Sequence, residues 1–283
     1  MNISPATIAI DIARFKSQSL NSLVESTSDF KSTFASAVSL SSLEPGSAIT
    51  NPMAAGRNMS LPDPESAYKM MTTINNQDAL YKAQFSELSQ MKNSVEQMED
   101  AGRSLGGITA DTGNDSIKSR LQDFAGQYNA WIQRFAPTTQ HGGLLAGTQA
   151  AQISIYELEQ SVKNVFNGIH DGLRGLGDLG ISIGSSTKLM SLDGAKLDAV
   201  LAANKRGVVN TVREFSANFA KAADLLNADN NFIPNQLNNL DRVIDYISDN
   251  KVSLQKEFGT GDAARPTGQV AKALSAYNLV SGL

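Results

Sequence analysis

Leu237 to Phe258, LNNLDRVIDYISDNKVSLQKEF, carries Leu237, Leu240, Ile244, Ile247, Lys251, Leu254 and Phe258 at alternating spacings of three and four residues. That is a heptad with one cation among its apolar positions. A helix with a strict seven-residue repeat presents a narrow ridge, and such a ridge is stable only with a second helix alongside, from this chain or from another copy. Each buried Leu or Ile contributes about 1.5–3 kcal/mol, so six apolar positions are enough to fix an architecture. Leu237, Leu240, Ile244, Ile247, Leu254 and Phe258 are therefore read as an interaction seam. The fold class that follows is mainly α, an elongated helical bundle with a coiled-coil-like seam.

Upstream, helical spacing recurs. Met71, Ile74, Tyr81, Phe85, Leu88, Met91, Val95 and Met98 share one face of a long helix, with Lys82, Glu87, Lys92 and Glu96 outside it. Pro64 and Glu65 suit its first turn, and Gly102 with Gly106 and Gly107 are expected to end it. A second helix opens after TGND with Asp115 as cap, buries Ile117, Leu121, Phe124, Tyr128 and Ile132, and stops at Pro137. Ile155, Leu158, Val162, Phe166, Ile169 and Leu173 mark a third. Asp193 is placed to cap a short helix burying Leu197, Val200 and Leu201, and Val208 to Leu226 form the next, with Lys205 and Arg206 in a loop between them.

GLGDLG, Gly175 to Gly180, is a literal G-x-G-x-x-G. A dinucleotide site needs a buried strand before those glycines and a helix starting on them. Here the order is inverted: a helical pattern enters, and the two-residue alternation of GISIG and KLMSLD leaves as a hairpin at 181–192. Gly172, Gly175 and Gly177 are accordingly read as positive-φ residues ending a helix, and Gly180 as a turn before a strand.

The chain has 283 residues, no cysteine, two histidines and a formal net charge of −4. Thiol catalysis and disulfides are excluded, and a broad nucleic-acid surface is not expected without clustered Lys and Arg. His141 lies in a glycine-rich loop and His170 at a helix end, neither in a zinc pattern. DTGND and NADNN lack the glycine and glutamate of a calcium loop. Glu99 and Asp100 are consecutive on a helix and face apart. Trp131 reads as a core-boundary residue. No catalytic constellation, metal site or cofactor is expected.

No apolar run reaches the roughly 20 residues of a membrane span, and Asp11 interrupts the stretch where a Sec-type signal would continue. Residues 1–43 read as a serine-rich helical segment ordered on a partner, and 44–64 as a Pro/Gly linker. Residues 65–258 form the bundle with its hairpin, and 259–283 a linker plus a short helix at Val270, Leu274 and Tyr277.

Several motifs in one order resemble the flagellar filament-cap family, hook-associated protein 2, over about 117–258. They are Phe124, Tyr128 and Asn129, then Gly143-Leu144-Leu145, then Leu176, Leu179, Gly180 and Ile181, and finally Met190, Ser191, Leu192, Asp193, Lys196 and Leu197. The resemblance implies a helical domain of the cap wall with a hairpin packed on it. It also implies a non-enzymatic flagellar structural or assembly protein that self-associates and touches axial proteins such as flagellin. Export through the flagellar type III apparatus, with a cytoplasmic chaperone, comes with that reading. Against family members with large outer domains, this chain is expected to be a reduced relative. The alternative is a cytoplasmic export chaperone or regulator that holds a secretion partner.

Overall fold

The computed structural model describes residues 56–165 and 172–282. In chain order these form α1 (Pro64–Ser104), a 3-10 turn (Leu105–Gly107), α2 (Asn114–Thr139) and α3 (Gln149–Lys163). A second 3-10 turn (Leu176–Leu179) leads into β1 (Ile181–Ile183) and β2 (Met190–Leu192), followed by α4 (Gly194–Asn227), α5 (Phe232–Phe258) and α6 (Gly268–Ser281). The fold is mainly α with one small hairpin, as the spacing patterns predict. The segment 1–43, most of the 44–64 linker, Phe166, Ile169 and His170 lie outside the described residues.

The described residues divide into two compact units. The smaller holds 56–71 and 255–261. In it Arg57 forms an antiparallel bridge with Gly259, its Nε donates to Glu65 at 2.8 Å, and its guanidinium lies 4.2 Å over the Tyr68 ring. Asn58 donates to the carbonyls of Lys256 and Glu257, satisfying acceptors that the end of α5 leaves open. Asp63 starts α1, its carboxylate accepting the N–H of Ser66 at 3.0 Å, with Glu65 in the first turn.

The larger unit holds 72–254 and 262–282. Its core joins Leu88, Met91, Val95 and Met98 of α1 to Ile117, Leu121 and Phe124 of α2, Leu158 and Val162 of α3, and Val212, Phe215 and Phe219 of α4. Phe124 stands edge-on to Phe215 and Phe219, with ring centroids 5.3 and 5.0 Å away. Gly102 does not end α1. It sits inside the helix, where a Cβ would come 2.5 Å from the Phe219 ring, so the residue is small to admit that ring. Nor does Pro137 stop α2, which runs to Thr139. A proline in a last turn forfeits one backbone hydrogen bond, and here the Thr138 and Thr139 hydroxyls bond back to the Phe135 and Ala136 carbonyls. Asp115 lies within the first turn of α2, and the capping position is Gly113, with no side-chain cap.

Asp193 caps α4 as its position suggests, accepting the Lys196 N–H at 3.0 Å. The loop expected at Lys205-Arg206 is instead a kink at Asn204 (φ −153°, ψ 64°), whose side-chain oxygen accepts the Gly207 N–H and restarts the helix. Of the pattern from Ile155 to Leu173, the helix covers only the part to Lys163, because Asn164 is extended. At the other end, α6 packs Val270 and Leu274 beside Ala83, Leu144 and Ala273, and Tyr277 meets Phe85 edge-on at 5.9 Å. The preceding stretch is tied down, since Asp262 donates to Thr72 Oγ1 and accepts from Asn75.

Candidate assembly surface

Four seam residues, Leu240, Ile244, Ile247 and Leu254, are buried within the single chain, while Leu237 and Phe258 are half-buried and Lys251 is exposed. The interruption of the ridge by a cation thus coincides with solvent. Leu240 joins the core, and so does Ile233, which stands seven residues earlier and extends the repeat by one turn. Pro234 in the first turn masks that extension in the sequence, although proline is well suited there. What α5 presents outward is different: Tyr246 is 50% and Val252 78% exposed, flanking the exposed Asp241, Asp245 and Asp249.

Of Phe124, Tyr128, Asn129, Leu192, Asp193 and Leu197, Asn129 meets the hairpin at Met190, Leu192 ends β2 and Asp193 caps α4 directly after it, whereas Phe124 packs on Phe215 and Phe219 of α4. Phe124, Tyr128 and Leu197 are buried, and Leu192 packs against the core. Asn129 holds β2 by its backbone: its side-chain amide donates to the Met190 carbonyl at 2.9 Å and accepts the Met190 N–H at 2.6 Å. Glu159 of α3 is buried and receives Lys163, four residues on, together with Lys188 of the hairpin loop at 3.1 Å. Burial alone would raise its pKa, but the hydrogen bonds from the two lysines outweigh it and hold the carboxyl below its ordinary value. Burial, with the Glu159 charge adding to it, pushes the Tyr128 phenol well above its ordinary range.

These ties were not legible from spacing. Neither was the burial of Glu87, assigned to the solvated face of α1. It lies 5% exposed under Arg134, which grips both carboxylate oxygens at 2.6 and 2.8 Å. The available signal was its place between Phe85 and Leu88, at the margin of the apolar stripe. Trp131 is buried against Phe135.

The glycine bend has its own geometry. Gly172 (φ +83°) and Gly180 (φ +90°) take positive φ, whereas Gly175 is extended and Gly177 lies within the 3-10 turn. Positive φ is therefore not the reason for Gly175 or Gly177. At Gly175 the reason is close approach, since a Cβ would come 2.7 Å from the Asn164 carbonyl oxygen. At Gly177 nothing lies within 4 Å of an added Cβ, and its carbonyl accepts Lys196 Nζ and the Gly180 N–H. The strand follows the glycines instead of leading into them, and Asp178 accepts the Arg174 N–H at 2.7 Å. In the segment NADNN, Asn230 takes φ +60° and Asn231 caps the start of α5. His141 is exposed in its loop. Among the described residues no three His, Asp or Glu side chains converge as metal ligands, and no helix is long and apolar enough to cross a membrane.

The sequence pattern of the family described as Flagellar hook-associated protein 2 C-terminus matches residues 94–265. No curated protein matches the chain. Among solved structures, the D1-D2-D3 domains of the flagellar cap protein FliD from Escherichia coli are similar at 18% identity, with a TM-score of 0.41. That similarity covers 45% of this chain and 37% of the other, so the match spans little more than a third of the FliD structure. The family match runs from the last turns of α1 through α5, well over half of the chain, and the protein belongs to the flagellar hook-associated protein 2 C-terminus family.

Proposed function

We propose that the protein is a non-enzymatic structural or assembly component of the bacterial flagellum, of the filament-cap type, acting by contact with copies of itself or with axial proteins such as flagellin. The observation that carries this reading is the family match across residues 94–265, which takes in the hairpin, its ties and the heptad helix together. Several buried polar groups are engaged inside the chain, although the Tyr128 hydroxyl and Trp131 Nε1 have no hydrogen-bond partner among the described residues. Glu87 is spent on Arg134, Glu159 on two lysines, and Ser154, Thr211 and Ser216 on backbone carbonyls.

Because Leu240, Ile244, Ile247 and Leu254 are buried within the chain, contact between copies is assigned to what flanks the seam, Tyr246 and Val252 of α5, and to its half-buried ends at Leu237 and Phe258. The site of action is the flagellum, reached by export with a cytoplasmic chaperone. Light scattering of the purified protein, alone and with flagellin, tests the proposal. A mass above the monomer, or a complex with flagellin, is the expected result. A strict monomer that binds no flagellin contradicts it.

A further inference from the structure

The rest of the chain treats the two edges of the hairpin differently. Gly184 donates to the Leu189 carbonyl and Asp193 to the Gly180 carbonyl, each at 2.9 Å, on either side of the pairs Ile181↔Leu192, Ser182↔Ser191 and Ile183↔Met190. Hydrogen-bonded and non-hydrogen-bonded pairs alternate in an antiparallel ladder, so Ser182 faces its partner while Ile181 and Ile183 turn their N–H and C=O groups outward. On the β2 edge, the Asn129 amide takes both outward groups of Met190. On the β1 edge, no hydrogen bond among the described residues reaches the backbone of Ile181 or Ile183 outside the hairpin. An unpaired strand edge is a template for another strand.

That edge borders a cleft of about 240 Å³ whose other wall is the end of α3. Val165, 56% exposed, supplies apolar surface, while Val162 is buried in the core. Arg174 and Lys163, the latter shared with Glu159, line it against one acid, Asp178, in a chain whose net charge is negative.

We propose that the outer edge of β1 receives an extended, acidic segment of a partner protein. Its main chain pairs with Ile181 and Ile183, an apolar side chain rests on Val165, and carboxylates lie near Arg174 and Lys163. Main-chain pairing supplies affinity and the side chains supply selectivity. The proposal goes beyond the flagellar reading and stands without it.

The test titrates the isotope-labelled full chain with a blocked peptide, Glu-Val-Thr-Val-Thr-Val-Glu, followed through amide resonances. The Ile181 and Ile183 amides are expected to shift and to exchange with solvent about tenfold more slowly or better. A peptide with lysine in place of glutamate should bind about fivefold or more weakly at low salt, the gap closing at high salt. Ile183→Pro removes an outward N–H without touching the Ser182↔Ser191 pair, and should abolish binding where Ile183→Val keeps it. N-methylation of alternate peptide residues on the pairing edge should abolish binding to the unmodified chain, which keeps the test decisive if the proline variant fails to fold. Unmoved Ile181 and Ile183 amides, indifference to N-methylation, or equal binding of the lysine peptide would overturn the proposal.

Discussion

Asn129 and Met190 exchange two hydrogen bonds, the amide of one side chain standing in for a neighbouring strand along the edge of the hairpin. Asn129→Ala leaves a backbone donor and acceptor unmet in a partly buried place, which costs about 1–3 kcal/mol. Denaturant titration should show that loss, and the Met190 amide should exchange faster than those of α4. An unchanged midpoint would mean that water replaces the clamp.

Two glycines inside helices should respond with opposite sign. Gly126 on α2 has nothing within 4 Å of an added Cβ, so Gly126→Ala should stabilise by about 0.5–1 kcal/mol through helix propensity. Gly102 on α1 faces the Phe219 ring at 2.5 Å, so Gly102→Ala should destabilise by about 1–3 kcal/mol. Adding Phe219→Leu to Gly102→Ala should recover part of the loss. Thermal unfolding of the three variants decides it.

Glu159 makes the fold sensitive to acid. Its pKa is lowered from 4.5 in the folded chain, so the unfolded chain takes up a proton first as pH falls. The contribution of Glu159 to stability is complete above the ordinary carboxylate range and is lost as pH drops through the depressed folded value. Glu159→Gln should therefore be less stable than the parent at neutral pH, and the gap should narrow steadily below about pH 4.5. Urea midpoints measured across that window check the sign; a gap that widens toward acid contradicts the pairing with Lys163 and Lys188.

On α5 two neighbouring substitutions separate interior from surface. Ile244 is 3% exposed and Tyr246 50%. Ile244→Asp buries an unpaired carboxylate and should cost about 3 kcal/mol or more, while Tyr246→Asp should stay within about 0.5 kcal/mol. Calorimetry reads both. If Tyr246 lies at a contact between copies, its variant should keep the monomer's melting temperature and lose the higher mass in light scattering.

The elements that periodicity revealed were those whose apolar residues all turn to one side. The heptad of α5, the stripe of α1 from Leu88 to Met98 and the alternation of Ile181 with Ile183 each declare which face is inside. What spacing cannot declare is the identity of the neighbour. Glu87 looked solvated because its partner, Arg134, is 47 residues away in the sequence. Asn129 reads as an ordinary polar residue on a helix until β2 arrives beside it. Glycine and proline misled for a related reason. Gly102 and Pro137 are breakers in isolation, but tertiary packing against Phe219 and back-bonding by Thr138 and Thr139 keep both inside helices. That a hairpin leaves the glycine bend was legible from the residues after it, yet only the fold distinguishes positive φ at Gly180 from close approach at Gly175.

The most direct test of the flagellar account is where the protein resides in the bacterium that encodes it. Cells carrying an epitope-tagged chain are sheared, and flagella, medium and cytosol are probed separately, with immunogold labelling of intact filaments. The account predicts signal in the sheared flagella or on the filament. Protein confined to the cytosol, with bare filaments, contradicts it and favours a chaperone or regulator instead.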